Sequence, residues 1–185
     1  MTIKIITKEQ EAKLFHEVEA NKWKLIYSLM LHAGLRVGEV VELILSDVYT
    51  ENRVKTRLNL RAEITKTKEA RIVPLNILTL QCLEYYKPDP IPPEELLKDL
   101  YLFPGMSDKG HISIRHIQRM LDLHSFRGFG DKIHPHILRH TYATNLMKVT
   151  NIRVVQALLG HKSLQSTQVY THPDILDLDK AVAQL

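Results

Sequence analysis

Four strings in this sequence carry side chains able to break and rejoin a phosphodiester. AGLRVGEVVEL holds an arginine and ITKTKEARIVPL a lysine, while HPHILRHTYATN holds a histidine and an arginine. ALLGHKSLQSTQVYTH adds a histidine and a tyrosine. Two guanidiniums, one ammonium, two imidazoles and one phenol suit the attack of a phenolate on a DNA phosphate without a metal. Such a transfer needs a nucleophile, stabilised charge on the non-bridging oxygens, and proton acceptance and donation at the two ester oxygens. Arginine fits the charge role because its planar fork reaches two phosphate oxygens and stays ionised.

Position along the chain supports some of these groups. Arg36 follows Gly34, a predicted helix stop, and precedes the next helix start, where a side chain can point into a cleft. Arg139 and His136 lie three apart on one predicted helix, which puts them on one face and lets them address one phosphate. His140 is the next residue round and is expected to point elsewhere. Taken singly, each is an ordinary surface or hydrogen-bonded residue. Their joint order carries the argument.

The chain of 185 residues is long enough for one domain with a substantial core. A hydrophobic content of 44% with 25% charged residues argues against disorder. No apolar run approaches a membrane-spanning length of about 18 residues, and Met1-Thr2-Ile3-Lys4 does not open a secretory signal. The lone Cys82 cannot form an intrachain disulfide; it reads as a small core residue in a cytoplasmic protein. The net charge of +4 is unevenly spread. Residues 127–172 hold Arg127, Lys132, Arg139, Lys148, Arg153 and Lys162 against Asp131 alone, whereas Asp174, Asp177 and Asp179 reverse the sign beyond them. A basic segment of this kind favours a polyanion such as nucleic acid.

The elements expected to position the groups are mostly helical. Thr7 to Gln10 has capping-box spacing ahead of a first helix. Further helices are expected at 22–32, ended by Gly34, at 37–45, and from an Asn76 cap through Tyr86. Between them, 53–75 alternates and is β-branched, which predicts a small antiparallel sheet. The proline-rich 87–95 is a loop, and 101–103 a short extended piece. Helical patterns recur at 112–124, 136–148, 152–159, 163–171 and 174–184. The fold class is therefore mainly α with a small antiparallel β-sheet, an α+β domain.

Taken together, the strings AGLRVGEVVEL, TKTKEARIVPL, HILRHTYAT, LLGHKSLQST and YTH resemble the tyrosine recombinase family of phage integrases and Xer-type enzymes, over roughly residues 7–185. The resemblance implies that Tyr170 is the nucleophile, forming a 3′-phosphotyrosyl linkage and freeing a 5′-hydroxyl. It assigns His136 as general base or hydrogen-bonding partner, and Arg36 and Arg139 to the non-bridging oxygens. His161 would donate to the same phosphate, and Lys66 would protonate the leaving oxygen, with Lys68 two residues on as the rival. Glu39 would buttress an active-site arginine or stabilise a helix N-terminus; Asp47 also matches an acidic place in the family. No metal, cofactor or ATP is implied.

The family pattern further implies double-stranded DNA as partner and a homotetramer on two duplexes, with a free monomer as the alternative state. Residues 1–185 correspond to the catalytic domain, without the family's N-terminal core-binding domain. A C-terminal helix at 174–185 would dock on a neighbouring protomer or fold back. Weak DNA affinity follows from half a clamp. A cytoplasmic site, nucleoid-associated on DNA, is expected. The linker MKVTNIR lacks the family's usual glycine, so that turn must cap differently. Three rivals remain at this level: a DNA-binding regulatory module without catalysis, a type IB topoisomerase-like relaxation, and a metal hydrolase built on His134, His136 and His140, which lacks a carboxylate to complete its ligands.

Overall fold

A computed structural model describes residues 4–50, 53–106, 108–163 and 165–168. Helix α1 (Lys8–His16) starts at a capping box in which Thr7 and Gln10 satisfy each other's backbone N–H. Helix α2 (Asn21–Leu31) is buried without a break from Leu25 to Leu31. It is thus the central post of the domain rather than a one-sided surface helix. Helices α5 (Ile77–Tyr86) and α8 (Pro135–Met147) pack against it, and α7 (Ile114–Phe129) packs on α1.

The expected helix at 37–45 is two short ones, α3 (Val37–Val41) and α4 (Leu45–Val48). Between them Leu43 and Ile44 turn extended and pair with the strand-like piece at Tyr101. The break has a local cause: Glu39 and Asp47 each sit at the third position of their helix. Their carboxylates accept the backbone N–H of Arg36 at 2.8 Å and of Ile44 at 3.0 Å.

Region 49–75 also differs in detail, forming two separate two-stranded antiparallel ladders rather than one sheet. One joins β1 (Tyr49–Thr50) to β2 (Arg53–Val54); the other joins β3 (Arg57–Leu60) to β4 (Arg71–Pro74), with Leu60 opposite Arg71 as its last rung. Beyond that rung the chain leaves the ladder through a short 3-10 turn, Ala62–Ile64. A four-residue helix, α6 (Glu94–Leu97), follows the proline-rich loop.

Helix α7 outruns its expected end at His124 because Gly128 does not break it. A Cβ at Gly128 would stand 3.1 Å from the Lys13 carbonyl oxygen, so this glycine allows α1 and α7 to touch. Gly130, at φ 81°, ends the helix instead. After α8, the glycine-free linker is closed by Thr150 N–H donating to the Leu146 carbonyl, and the Asn151 side chain caps α9 (Ile152–Leu159). Helix α10 (Gln165–Gln168) is described as far as Gln168; the C-terminal helix expected at 174–184 lies outside the described residues. Most apolar side chains share one core, while Ala143, Val155 and Leu159 form a small second cluster joining α8 to α9. Cys82 is half-buried against the main core. Among the described residues, no helix is long and apolar enough to cross a membrane.

Candidate active site

Two of the predicted groups converge on one atom. Arg36 caps α3, and its Nη1 lies 3.5 Å from the Leu159 carbonyl oxygen at the C-terminal end of α9. Arg139, on α8, is buried, and its Nη2 donates to the same oxygen at 2.8 Å. The other arm of Arg139 donates to the Gly34 carbonyl. Gly34 can offer that carbonyl because it takes the left-handed conformation, φ 67°. Two guanidiniums from distant segments thus meet at one acceptor.

His161 follows directly. Gly160, at φ 62°, ends α9, and the next residue places its Nε2 3.2 Å from Arg139 Nη2. Its Nδ1 is 3.0 Å from Thr167 Oγ1. Burial drives the His161 pKa down to about 4, aided by the charges of Arg139, Arg36 and Arg71. The imidazole is therefore neutral at neutral pH.

Beneath these groups lies Glu39, whose side chain is 1% exposed. Its two oxygens accept from both arms of Arg71 at 2.8 Å each, and Arg36 Nη1 donates at 3.1 Å. Arg139 Nη1 stands 3.9 Å away. Burial raises the Glu39 pKa, but the hydrogen bonds and charge of Arg71 outweigh that and leave it below the ordinary carboxylate value. Glu39 thus fills both roles foreseen for it, arginine buttress and helix cap. Asp47 plays a parallel part under Arg61, whose Nε reaches it at 3.1 Å. There burial wins over Arg61, and the carboxyl pKa is raised.

Arg71 escaped the sequence reading. It sits in the β-branched run ARIVPL, and nothing local marks it. Only its partners, Glu39 and the Leu158 carbonyl 3.2 Å from its Nε, reveal it. Those partners are 32 and 87 residues away in the chain.

The remaining groups are placed more loosely. Lys66 is exposed in the turn after the 3-10 segment, not on a strand, because β3 ends at Leu60. Lys68 does not share a strand face with it; Lys68 has φ 57° and donates to the Glu63 carbonyl at 2.9 Å. The turn borders the site all the same: Thr67, Arg71, Gly160 and His161 line a common recess of about 280 Å³. Larger recesses, such as one of about 640 Å³ between α1, α2 and α5, are lined by none of Arg36, Lys66, His136, Arg139 and His161. His136 is exposed on the first turn of α8 while Arg139 turns inward. The His136 and His140 rings stand with centroids 6.3 Å apart, so His140 does not point away as expected. Among the described residues no three His, Cys, Asp or Glu side chains group as a metal site. Tyr170 lies outside the described residues.

Comparison with known proteins identifies the family of the chain. The model of the phage integrase family matches residues 4–175. Tyrosine recombinase XerC of Thermodesulfovibrio yellowstonii is 34% identical over 95% of this chain and 60% of its own length. A tyrosine recombinase of Pseudothermotoga lettingae is 39% identical over 84% of this chain and 50% of its own length. The chain therefore spans about half to three-fifths of these relatives. Among solved structures, the XerA recombinase crystal structure superposes with a TM-score of 0.73 at 28% identity, covering 97% of this chain and 64% of that one. The Tn1549 transposon integrase, solved with transposon right-end DNA, shares the fold at a TM-score of 0.72 and 18% identity, over 100% of this chain and 66% of its own. With a family model spanning nearly all its residues and relatives above 30% identity, the chain belongs to the phage integrase family, the tyrosine recombinases.

Proposed function

We propose that residues 1–185 act as the catalytic domain of a site-specific recombinase that cuts and rejoins double-stranded DNA through a 3′-phosphotyrosyl intermediate. The observation that carries this reading is the meeting of Arg36 and Arg139 at Leu159 O, with His161 against the same guanidinium. Two fixed positive charges and an imidazole around one acceptor point suit the equatorial oxygens of a pentavalent phosphorus. A DNA phosphate would take over the contacts that the Leu159 carbonyl holds in the free protein.

In the cleavage step the Tyr170 oxygen bonds to phosphorus, and the bond from phosphorus to the 5′-oxygen breaks. A free phenol titrates near pH 10, so attack at neutral pH needs a base, and the Tyr170 hydroxyl gives its proton to His136. Lys66 gives a proton to the departing oxygen, which leaves as a 5′-hydroxyl. Religation by a 5′-hydroxyl from another strand reverses each transfer. His161 adds a hydrogen bond without a third charge. In the free protein Nε2 accepts from Arg139 Nη2 and the proton sits on Nδ1, toward Thr167 Oγ1; donation to phosphate uses the other tautomer, in which Thr167 Oγ1 donates to Nδ1. Charge stabilisation by arginine leaves no step that calls for a divalent cation or ATP.

By the same reading four protomers act on two duplexes, with residues 174–185 linking neighbours, in the cytoplasm on nucleoid DNA. The test begins with duplexes of randomised sequence, from which those retained by the wild-type chain under denaturing conditions are recovered. A nicked duplex of the recovered sequence should then give a covalent protein–DNA band on a denaturing gel, in EDTA and without ATP. The protein should be joined to the 3′ side of the break. Tyr170→Phe should abolish the band; a band that survives this substitution refutes the nucleophile.

A further inference from the structure

The turn bearing Lys66 springs from two arginines that the proposed chemistry does not use. Arg61 leaves the ladder just after Leu60, and Arg71 re-enters it opposite Leu60. Arg61 donates through Nε to Asp47 and through Nη2 to the Glu42 carbonyl, at 3.1 and 2.8 Å. Arg71 grips both oxygens of Glu39 and, through Nε, the Leu158 carbonyl. Both acids are almost wholly buried, at 1% and 3% side-chain exposure, and both are pinned by a backbone N–H of the short helix they cap. Each foot of the turn is therefore bolted to a fixed helix start by a planar, multidentate contact. An ammonium cannot reproduce that geometry.

Inside the turn, Thr65 is buried and braces its own loop. Its Oγ1 lies 3.0 Å from the Ala62 and Glu69 carbonyls and accepts the Glu69 N–H at 3.1 Å. A turn that is internally braced moves with its feet. One foot rests on Glu39, which also holds Arg36. It also rests on Leu158 O, next to the carbonyl where Arg36 and Arg139 meet. A surface ion pair would contribute little; here both carboxylates are buried and each guanidinium makes several fixed contacts, which sets orientation.

We propose that Arg61 and Arg71 are positioning residues for proton delivery, holding the Lys66 turn at a set place relative to the Arg36–Arg139 clamp. The inference rests on the reading of Lys66 as the proton donor. Its chemical consequence is specific: displacement of the turn harms departure of the 5′-oxygen, not the stabilisation of phosphate charge. A 5′-bridging sulfur tests this, because a thiolate, of pKa near 8.5 as a thiol, leaves without a proton.

The experiment measures single-turnover cleavage of the recovered duplex with oxygen or sulfur at the bridging position. Arg61→Lys and Arg71→Lys should each slow the oxygen substrate by about 10- to 100-fold, the scale of a misplaced catalytic group. On the sulfur substrate Arg61→Lys should return to within a few-fold of wild type, as should Lys66→Ala; Arg71→Lys, whose partner Glu39 also holds Arg36, should be rescued in part, while Arg36→Lys stays slow on both. Arginine variants equally slow on both substrates, or unimpaired on oxygen, overturn the inference while a rescued Lys66→Ala keeps the reading of Lys66. An unrescued Lys66→Ala overturns both. If Arg71→Lys does not fold, Arg61→Lys, whose side chain is 35% exposed, carries the kinetic test. In the DNA-free proteins, hydrogen exchange across 62–70 should quicken in each variant and stay unchanged in α2. Unchanged exchange across 62–70 also overturns the inference.

Discussion

Gly34 answers two demands at once, a left-handed backbone and a ring laid against it. A Cβ there would come within 2.4 Å of the Tyr142 ring, and φ is 67°. Gly34→Ala therefore combines left-handed strain, about 1–2 kcal/mol, with overpacking of about 1–3 kcal/mol. The expected outcome is a melting temperature lowered by several degrees and slower cleavage, since Gly34 O orients Arg139. An unshifted melt would show that the Tyr142 ring yields at no cost. His161 makes a second prediction. Its pKa falls from 6.5 to about 4 on folding, mainly through burial. Between those values the unfolded chain binds the extra proton, so stability rises with pH across that window and declines as pH falls toward 4. His116, His124 and His140, also lowered chiefly by burial, act in the same direction. Urea unfolding at pH 5 and pH 7 should therefore show a smaller difference in His161→Asn than in wild type. Equal differences would mean that His161 titrates alike in both states.

Helix α9 carries the acceptor for both arginines, yet it is held by little apolar packing. Its buried residues are Val155 and Leu159, against seven in α2. Elements with few buried contacts open at low free energy. Native-state hydrogen exchange should therefore find α9 amides opening well below those of α2, and DNA binding should slow α9 selectively. Equal protection in the free protein would contradict this. Elements also show where sequence patterns run short. The run at 37–45 has helical spacing, and nothing in it announces the turn at Leu43. That turn is dictated by Asp47, which reaches back to Ile44, and by pairing with Tyr101, far along the chain. Gly128 reads locally as a breaker and is tolerated only because α1 lies against it. By contrast, Thr7, Gly34 and Asn76 mark real helix boundaries because caps are local chemistry.

Across the whole molecule, the net charge of +4 is concentrated in the segment that carries α8 and α9. In the proposed function this segment would bind DNA through released counterions. A footprint of even about three phosphates gives a log–log salt slope near −2.7, or a loss of about 40-fold in affinity between 50 and 200 mM salt. Fluorescence anisotropy with the recovered duplex should show that fall; a flat salt profile would exclude binding through this basic segment.

The types of the proposed reacting groups and their order along the chain are read from the sequence because each stands in a dense local string. Mainly helical character and most helix starts are legible for the same reason, since periodicity and capping act within a few residues. Tertiary structure alone decided that Arg36 and Arg139 meet at Leu159 O, that Glu39 sits beneath three arginines, and that Arg61 and Arg71 anchor the Lys66 turn. These contacts join segments far apart in sequence, and no local pattern encodes them. They arise when buried carboxylates and helix-end carbonyls, removed from water, must find donors, and only the packed chain determines which guanidiniums are within reach.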